Sequence, residues 1–167
     1  MLHRARPTPP PTTGPTTAPT TPESDPADSP EALRGAIVSL NRFVNASAGR
    51  LPVPAVVAAR RITDVLAEVL DTSEARPLDV YAVMSVRSMV GDYLPTTLRS
   101  FLAVETSLIE AARPSGRSPL DSLGAQLASL ESAALGVLAA VQQQDVDALM
   151  TQGSFLSTKF SRSDLDL

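Results

Sequence analysis

The chain has 167 residues, 43% of them hydrophobic but only 4% aromatic and none tryptophan, which suits one aliphatic-cored domain with a tail. Fourteen basic side chains face eighteen acidic ones for a net charge of −4, so the basic stripe of a nucleic-acid surface is missing and no nucleic acid is expected as partner. Cysteine is absent, which excludes a disulfide, a thiolate metal site and a cysteine nucleophile, and no run of eighteen apolar residues occurs, so no transmembrane segment is expected.

Residues 1–29 read as a disordered Pro/Thr-rich tail. Residues 1–30 hold nine of the fifteen prolines and seven threonines, with almost nothing apolar to bury. Ordering such a segment costs more backbone entropy than it recovers, and proline biases it toward polyproline II. It is expected to act as a spacer, or alternatively as a ligand for a proline-recognising domain or a linker from a missing N-terminal partner. Met1 to Pro7 carries charge but no following apolar region, so it does not read as a signal peptide.

The first helix is expected to open at Ser29-Pro30-Glu31, where serine caps, proline suits the first helical position and glutamate suits the positive end of the dipole. Leu33, Ala36, Ile37, Leu40 and Val44 form its stripe, which fades toward Gly49. A second helix follows Leu51-Pro52-Val53-Pro54, with Ala55, Ala58, Ala59, Ile62, Val65, Leu66, Val69 and Leu70 on one face. Its other face carries Arg60, Arg61, Asp64 and Glu68, and Arg60 and Asp64 are spaced to pair.

A third helix is expected from Pro77-Leu78-Asp79 to Leu102, with Val80, Val83, Met84, Val90, Leu94, Leu98, Phe101 and Leu102 on one stripe. Ala82, Val86, Met89 and Tyr93 lie beside that stripe. Arg87 falls inside it, which predicts either a buried pair with Glu68 or Glu131, or an edge position with its head in water. Pro95 interrupts the helix. The stripe continues across it and Leu94 is a poor cap, so a kinked continuous helix is expected, eased by Gly91.

After a loop rich in breakers, Ser118-Pro119 repeats the cap-plus-proline start. Leu120, Leu123, Leu127, Leu130, Ala134, Val137 and Val141 then step by three and four as a heptad seam over 120–141. The seam serves packing within the chain or, alternatively, a homodimer. Asp145 can cap a last helix with Leu149, Leu156 and Phe160 on its stripe, and residues 161–167 are expected to fray.

The single histidine is His3, so residues beyond the tail offer no imidazole for a base, a triad or a metal. No phosphate-cradling glycine motif is present. No catalytic, metal-binding or cofactor-binding residue is therefore assigned, and no cofactor is expected.

Tyr93-Leu94-Pro95-Thr96-Thr97-Leu98 resembles a Tyr-Leu-Pro-Thr-Thr motif of the bacterial 5-bromo-4-chloroindolyl phosphate hydrolysis family. The Ile62–Leu70 stripe before it and Asp145-Val146-Asp147-Ala148-Leu149 before the last helix fit the same pattern, so the resemblance spans residues 55–160. Asp92 stands where the family usually has a second tyrosine, and its long lysine-rich helix is not evident here. The resemblance implies an all-α fold and, through the family name, phosphate hydrolysis. It assigns no catalytic residue, and the family's members look like helical accessory proteins, sometimes associated with toxic-anion resistance systems.

The expected fold is an antiparallel bundle of four to five helices over residues 30–160 with a kinked central helix. The expected function is a non-catalytic interaction or accessory domain with a protein partner. The alternatives are a weak phosphatase or phosphatase regulator, and self-association through the seam. Tyr93, Arg87, Pro95, Thr96 and Arg99 are the interaction candidates. A cytoplasmic location is expected, with the cell envelope as alternative.

Overall fold

The computed structural model describes residues 26–112, 114, 116–144 and 146–161, and among these there is no strand. A short 3-10 turn, Pro26–Asp28, leads into helix α1 (Pro30–Ser47), followed by α2 (Val53–Asp71). Helix α3 (Val80–Ser88) passes through a π-turn (Met89–Tyr93) into α4 (Leu94–Leu102), and α5 (Pro119–Gln143) and α6 (Val146–Ser161) complete the chain. The fold is all-α. Counting α3, the π-turn and α4 as one rod, it has five rods.

The starts follow the local chemistry. Ser29 accepts from the Ala32 amide and Asp79 from the Tyr81 amide. Ser118 and Asp121 form a reciprocal capping box, each bonding the other's backbone N–H. Helix α5 stops at Gln144, which holds a left-handed φ of 60° and is the non-glycine residue with positive φ among those described. The Asp145 cap expected for α6 and the fraying expected beyond Ser161 lie outside the described residues.

Arginines close three of the opposite ends. Arg34 donates to the Leu70 carbonyl at 3.2 Å, Arg50 to Leu102 at 2.9 Å and Arg76 to Val141 at 3.2 Å. Each carbonyl lies in the last turn of its helix, where the regular four-back amide donors run out and a cation suits the dipole. Arg34 also pairs with Asp71 and Glu74, so the start of α1 lies beside the end of α2. Through such contacts the rods alternate in direction, and α2 and α5, which pack together, run the same way: Arg61 approaches Glu131 while Arg76 reaches Val141. Arg60 and Asp64 do not come within ion-pair distance; the pair on this face is Arg61–Glu131 at 4.0 Å.

The core is aliphatic. Ile62, Leu66, Leu70, Met89, Leu94, Leu98, Leu127 and Leu130 are wholly buried, and Phe101 is the one buried aromatic among the described residues. The seam of α5 faces this core, with Leu123 through Val141 buried and Leu120 partly so. By length and composition α5 is apolar enough to cross a membrane, contrary to the expectation from unbroken apolar runs. In the bundle it is the helix around which α2, α4 and α6 pack.

The third rod departs from the expected stripe. Ala82, Val86, Val90, Leu94 and Leu98 are all buried and recur every four residues. At about 100° per residue, a uniform α-helix would leave Ala82 and Leu98 about 160° apart. The π-turn absorbs one extra residue: the Leu94 N–H bonds the Met89 carbonyl five back, and the two faces come into line. Upstream of it the phase therefore shifts. Val80 and Met84, expected inside, are 60% and 55% exposed, while Ser85 joins Ala82, Val86 and Met89 in the interior.

Pro95 is buried and sits where the helix resumes. The backbone stays right-handed helical through Tyr93 and Leu94, so the rod is continuous, as expected, with its irregularity in the π-turn. Widening at this turn relieves the crowding of the Gly91 carbonyl by the proline ring. Gly91 itself is exposed, and a Cβ there would meet nothing within 4 Å, so the easing expected of it is not a matter of space. The expected tail boundary also moves: residues 26–29 belong to the fold, since Asp28 is held by Arg87.

Candidate binding cleft

The five interaction candidates do not converge. Tyr93 turns toward α6, its ring stacked on Phe160 with centroids 5.1 Å apart. Arg99 turns toward α1, its guanidinium 5.4 Å from the centre of the Phe43 ring. Arg87 reaches back across α1's entrance to Asp28, at 2.9 and 3.1 Å to the two carboxylate oxygens. Neither Glu68 nor Glu131 is its partner: Glu131 faces Arg61, and Arg87 sits at the edge as the second expectation had it, half-exposed, with Asp28 as its carboxylate. Pro95 is inside and Thr96 is exposed, while its neighbour Thr97 is buried. The resemblance motif is therefore spread around one rod, and its side chains pack separate neighbours.

A cleft of about 460 Å³ lies between α3 with its π-turn and α6. From one side it is lined by Tyr81, Met84, Ser85, Ser88 and Tyr93, and from the other by Met150, Gly153, Ser154, Leu156, Ser157 and Thr158. These include both tyrosines of the chain and both described methionines that stand half-exposed, Met84 and Met150. None of the lining side chains is charged.

The π-turn builds this cleft. It turns Ser85 inward, where a continuous α-phase would have put Val86, and turns Met84 outward. Gly153 of α6 faces this serine: a Cβ added there would lie 4.0 Å from Ser85 Oγ, an ordinary contact. Ser85 Oγ is buried and has no hydrogen-bond partner. Leaving a buried hydroxyl unpaired costs roughly 1–3 kcal/mol. Burial at the cleft wall raises the Tyr93 phenol above its ordinary value, and the adjacent Asp92 carboxylate raises it further.

Lys159, the one lysine of the chain, donates to Ser129 Oγ at 2.8 Å and lies 5.1 Å from the Phe155 ring centre. Ser129 in turn donates to the Ala125 carbonyl one helical turn back, at 2.9 Å. Its proton is already engaged, so this pair clamps α6 to α5 instead of forming a serine–lysine nucleophile. Among the described residues, no three carboxylates or imidazoles cluster as metal ligands would.

No family model, curated protein or solved structure matches the chain. The site must therefore be read from its own chemistry. Of the five candidates only Tyr93 lines the cleft. Sequence periodicity missed Ser85, Ser88 and the α6 side. A usable signal existed in the run of buried-type residues every four positions, which a regular helix cannot keep on one face.

Proposed function

We propose that this chain is a non-catalytic helical interaction domain, and that the α3–α6 cleft is its docking surface. What carries the reading is the lining: tyrosine rings, methionine side chains and hydroxyls, with no carboxylate, imidazole or amine among them. Such a wall can hold an apolar or uncharged segment and orient it by hydrogen bonds. It offers no acid or base for proton transfer. Methionine adapts its shape to a partner, and tyrosine combines apolar area with one polar tip.

The test is site-specific photo-crosslinking of the full chain in its native cell. A photoreactive residue at Ser88, inside the cleft, is expected to capture a defined partner, and one at Arg60, on the exposed face of α2, is not. Equal capture at both positions refutes the cleft as docking surface. Turnover of a phosphate ester by purified protein, abolished by Asp92→Asn or Arg99→Ala, would replace this reading with the hydrolytic one implied by the Tyr93–Leu98 resemblance.

A further inference from the structure

Helices α5 and α6 pack against each other, yet only Gln144 and Asp145 lie between them in sequence. A helix that stops in a left-handed residue usually has glycine there. This chain has Gln142-Gln143-Gln144, three good helix formers with no glycine or proline to stop them. Gln144 nevertheless sits exposed at φ 60° and ψ 35°, its backbone N–H bonded to the Ala140 and Val141 carbonyls. A left-handed backbone is strained for any residue that carries a Cβ, and continued helix is the lower-energy local conformation for this run.

What holds α6 back against the bundle is tertiary. Leu149 and Leu156 are fully buried, Phe160 stacks on Tyr93, and Lys159 donates to Ser129. The α6 of a second copy can make every one of these contacts equally well. The two arrangements then differ at the hinge, where the exchanged one releases the strain at Gln144 in both copies. Short hinges under strain invite exchange of this kind. The heptad seam of α5 is not free to pair two copies, since it faces the core.

We propose that the chain dimerises by exchanging α6. With Gln144 in the right-handed region, α5 runs on into α6, which leaves its own bundle and fills the α6 site of the second copy. Each α3–α6 cleft is then built by two chains, with Tyr81, Ser88 and Tyr93 from one and Met150, Ser154 and Thr158 from the other. Exchange of α6 does not depend on what the cleft binds, so it stands or falls separately from the docking reading.

Sedimentation velocity of the full chain is expected to show monomer and dimer, with the dimer gaining as concentration rises. Gln144→Gly relieves the left-handed backbone and weakens the continuous helix, and is expected to lower the dimer association constant at least about tenfold over the two hinges. Gln144→Ala keeps the strain and favours the helix, so it is expected to keep or raise that constant. The absence of cysteine lets the exchange itself be read. Ser129→Cys with Lys159→Cys places a thiol on each side of the α5–α6 contact. A short bis-maleimide is then expected to join two chains in the dimer fraction and to close one chain on itself in the monomer fraction. A dimer fraction that gives only intrachain links consists of unexchanged copies and overturns the proposal. So does a dimer association constant unmoved by Gln144→Gly, or a Gln144→Ala chain that stays monomeric at every concentration.

Discussion

Helix α5 and the α3–α4 rod are both central to the core, yet they reach it differently. Helix α5 holds one phase from Leu123 to Val141, and its seam closes against α2, α4 and α6. The α3–α4 rod changes phase at Met89–Tyr93, burying Ser85 and leaving Met84 outside. A heptad seam matches a regular helix closely enough to bury continuously. A run of fours does not, and the π-turn that rescues it leaves a cleft with an unpaired hydroxyl. The regular helix supplies stability, and the irregular one supplies a surface.

The largest expected effect separates the two directly. Leu130→Ala empties a fully buried site on α5 and should lower unfolding free energy by about 2–5 kcal/mol. Met84→Ala, on the exposed side of α3, should change it by less than about 0.5 kcal/mol. Urea denaturation of both variants checks this, and a comparable loss at Met84 would mean that the π-turn region is packed as α5 is.

The start of α5 comes next. Ser118→Ala removes the cap and should cost about 1 kcal/mol. The same box holds the Asp121 carboxyl below its ordinary value, chiefly through the Ser118 hydroxyl and amide. Its stabilising contribution is therefore complete above the ordinary aspartate value and is lost as pH falls through the depressed one. Asp121→Asn should flatten that acid limb of the melting-temperature profile. At the other end, Gln144→Gly relieves the left-handed backbone and should stabilise by about 0.5–1 kcal/mol in the same denaturation assay.

The smallest effects sharpen the account of the π-turn. If the four-residue run demands the turn, Pro95→Ala should keep or raise helical circular dichroism and leave Tyr93 in place. The late phenol titration at 295 nm, above the ordinary tyrosine value, should then persist, and Tyr93→Phe should remove it. Because its folded-state value is raised, the Tyr93 contribution is intact below the ordinary value and fades as pH rises through the raised one. Loss of the late step in Pro95→Ala would show that the proline makes the turn.

Much of the fold was legible. Ser29-Pro30, Asp79 and Ser118-Pro119 announced three helix starts through local hydrogen-bonding chemistry. The stripes of α1, α2 and α5, and Leu149 and Leu156 of α6, announced their buried faces. The candidate site was legible only at Tyr93, since motif likeness carries no information on which way neighbouring side chains turn around a rod.

The sequence by itself determined where helices begin and which faces of the regular ones seek the core, because capping and periodicity act within a few residues. Tertiary structure decided the rest, with the four-residue run from Ala82 to Leu98 as the one hint of the π-turn. Arg34, Arg50 and Arg76 find helix-terminal carbonyls 36, 52 and 65 residues away, and Arg87 finds Asp28 59 residues back. Those partners meet only when the bundle closes, and no local pattern announces them.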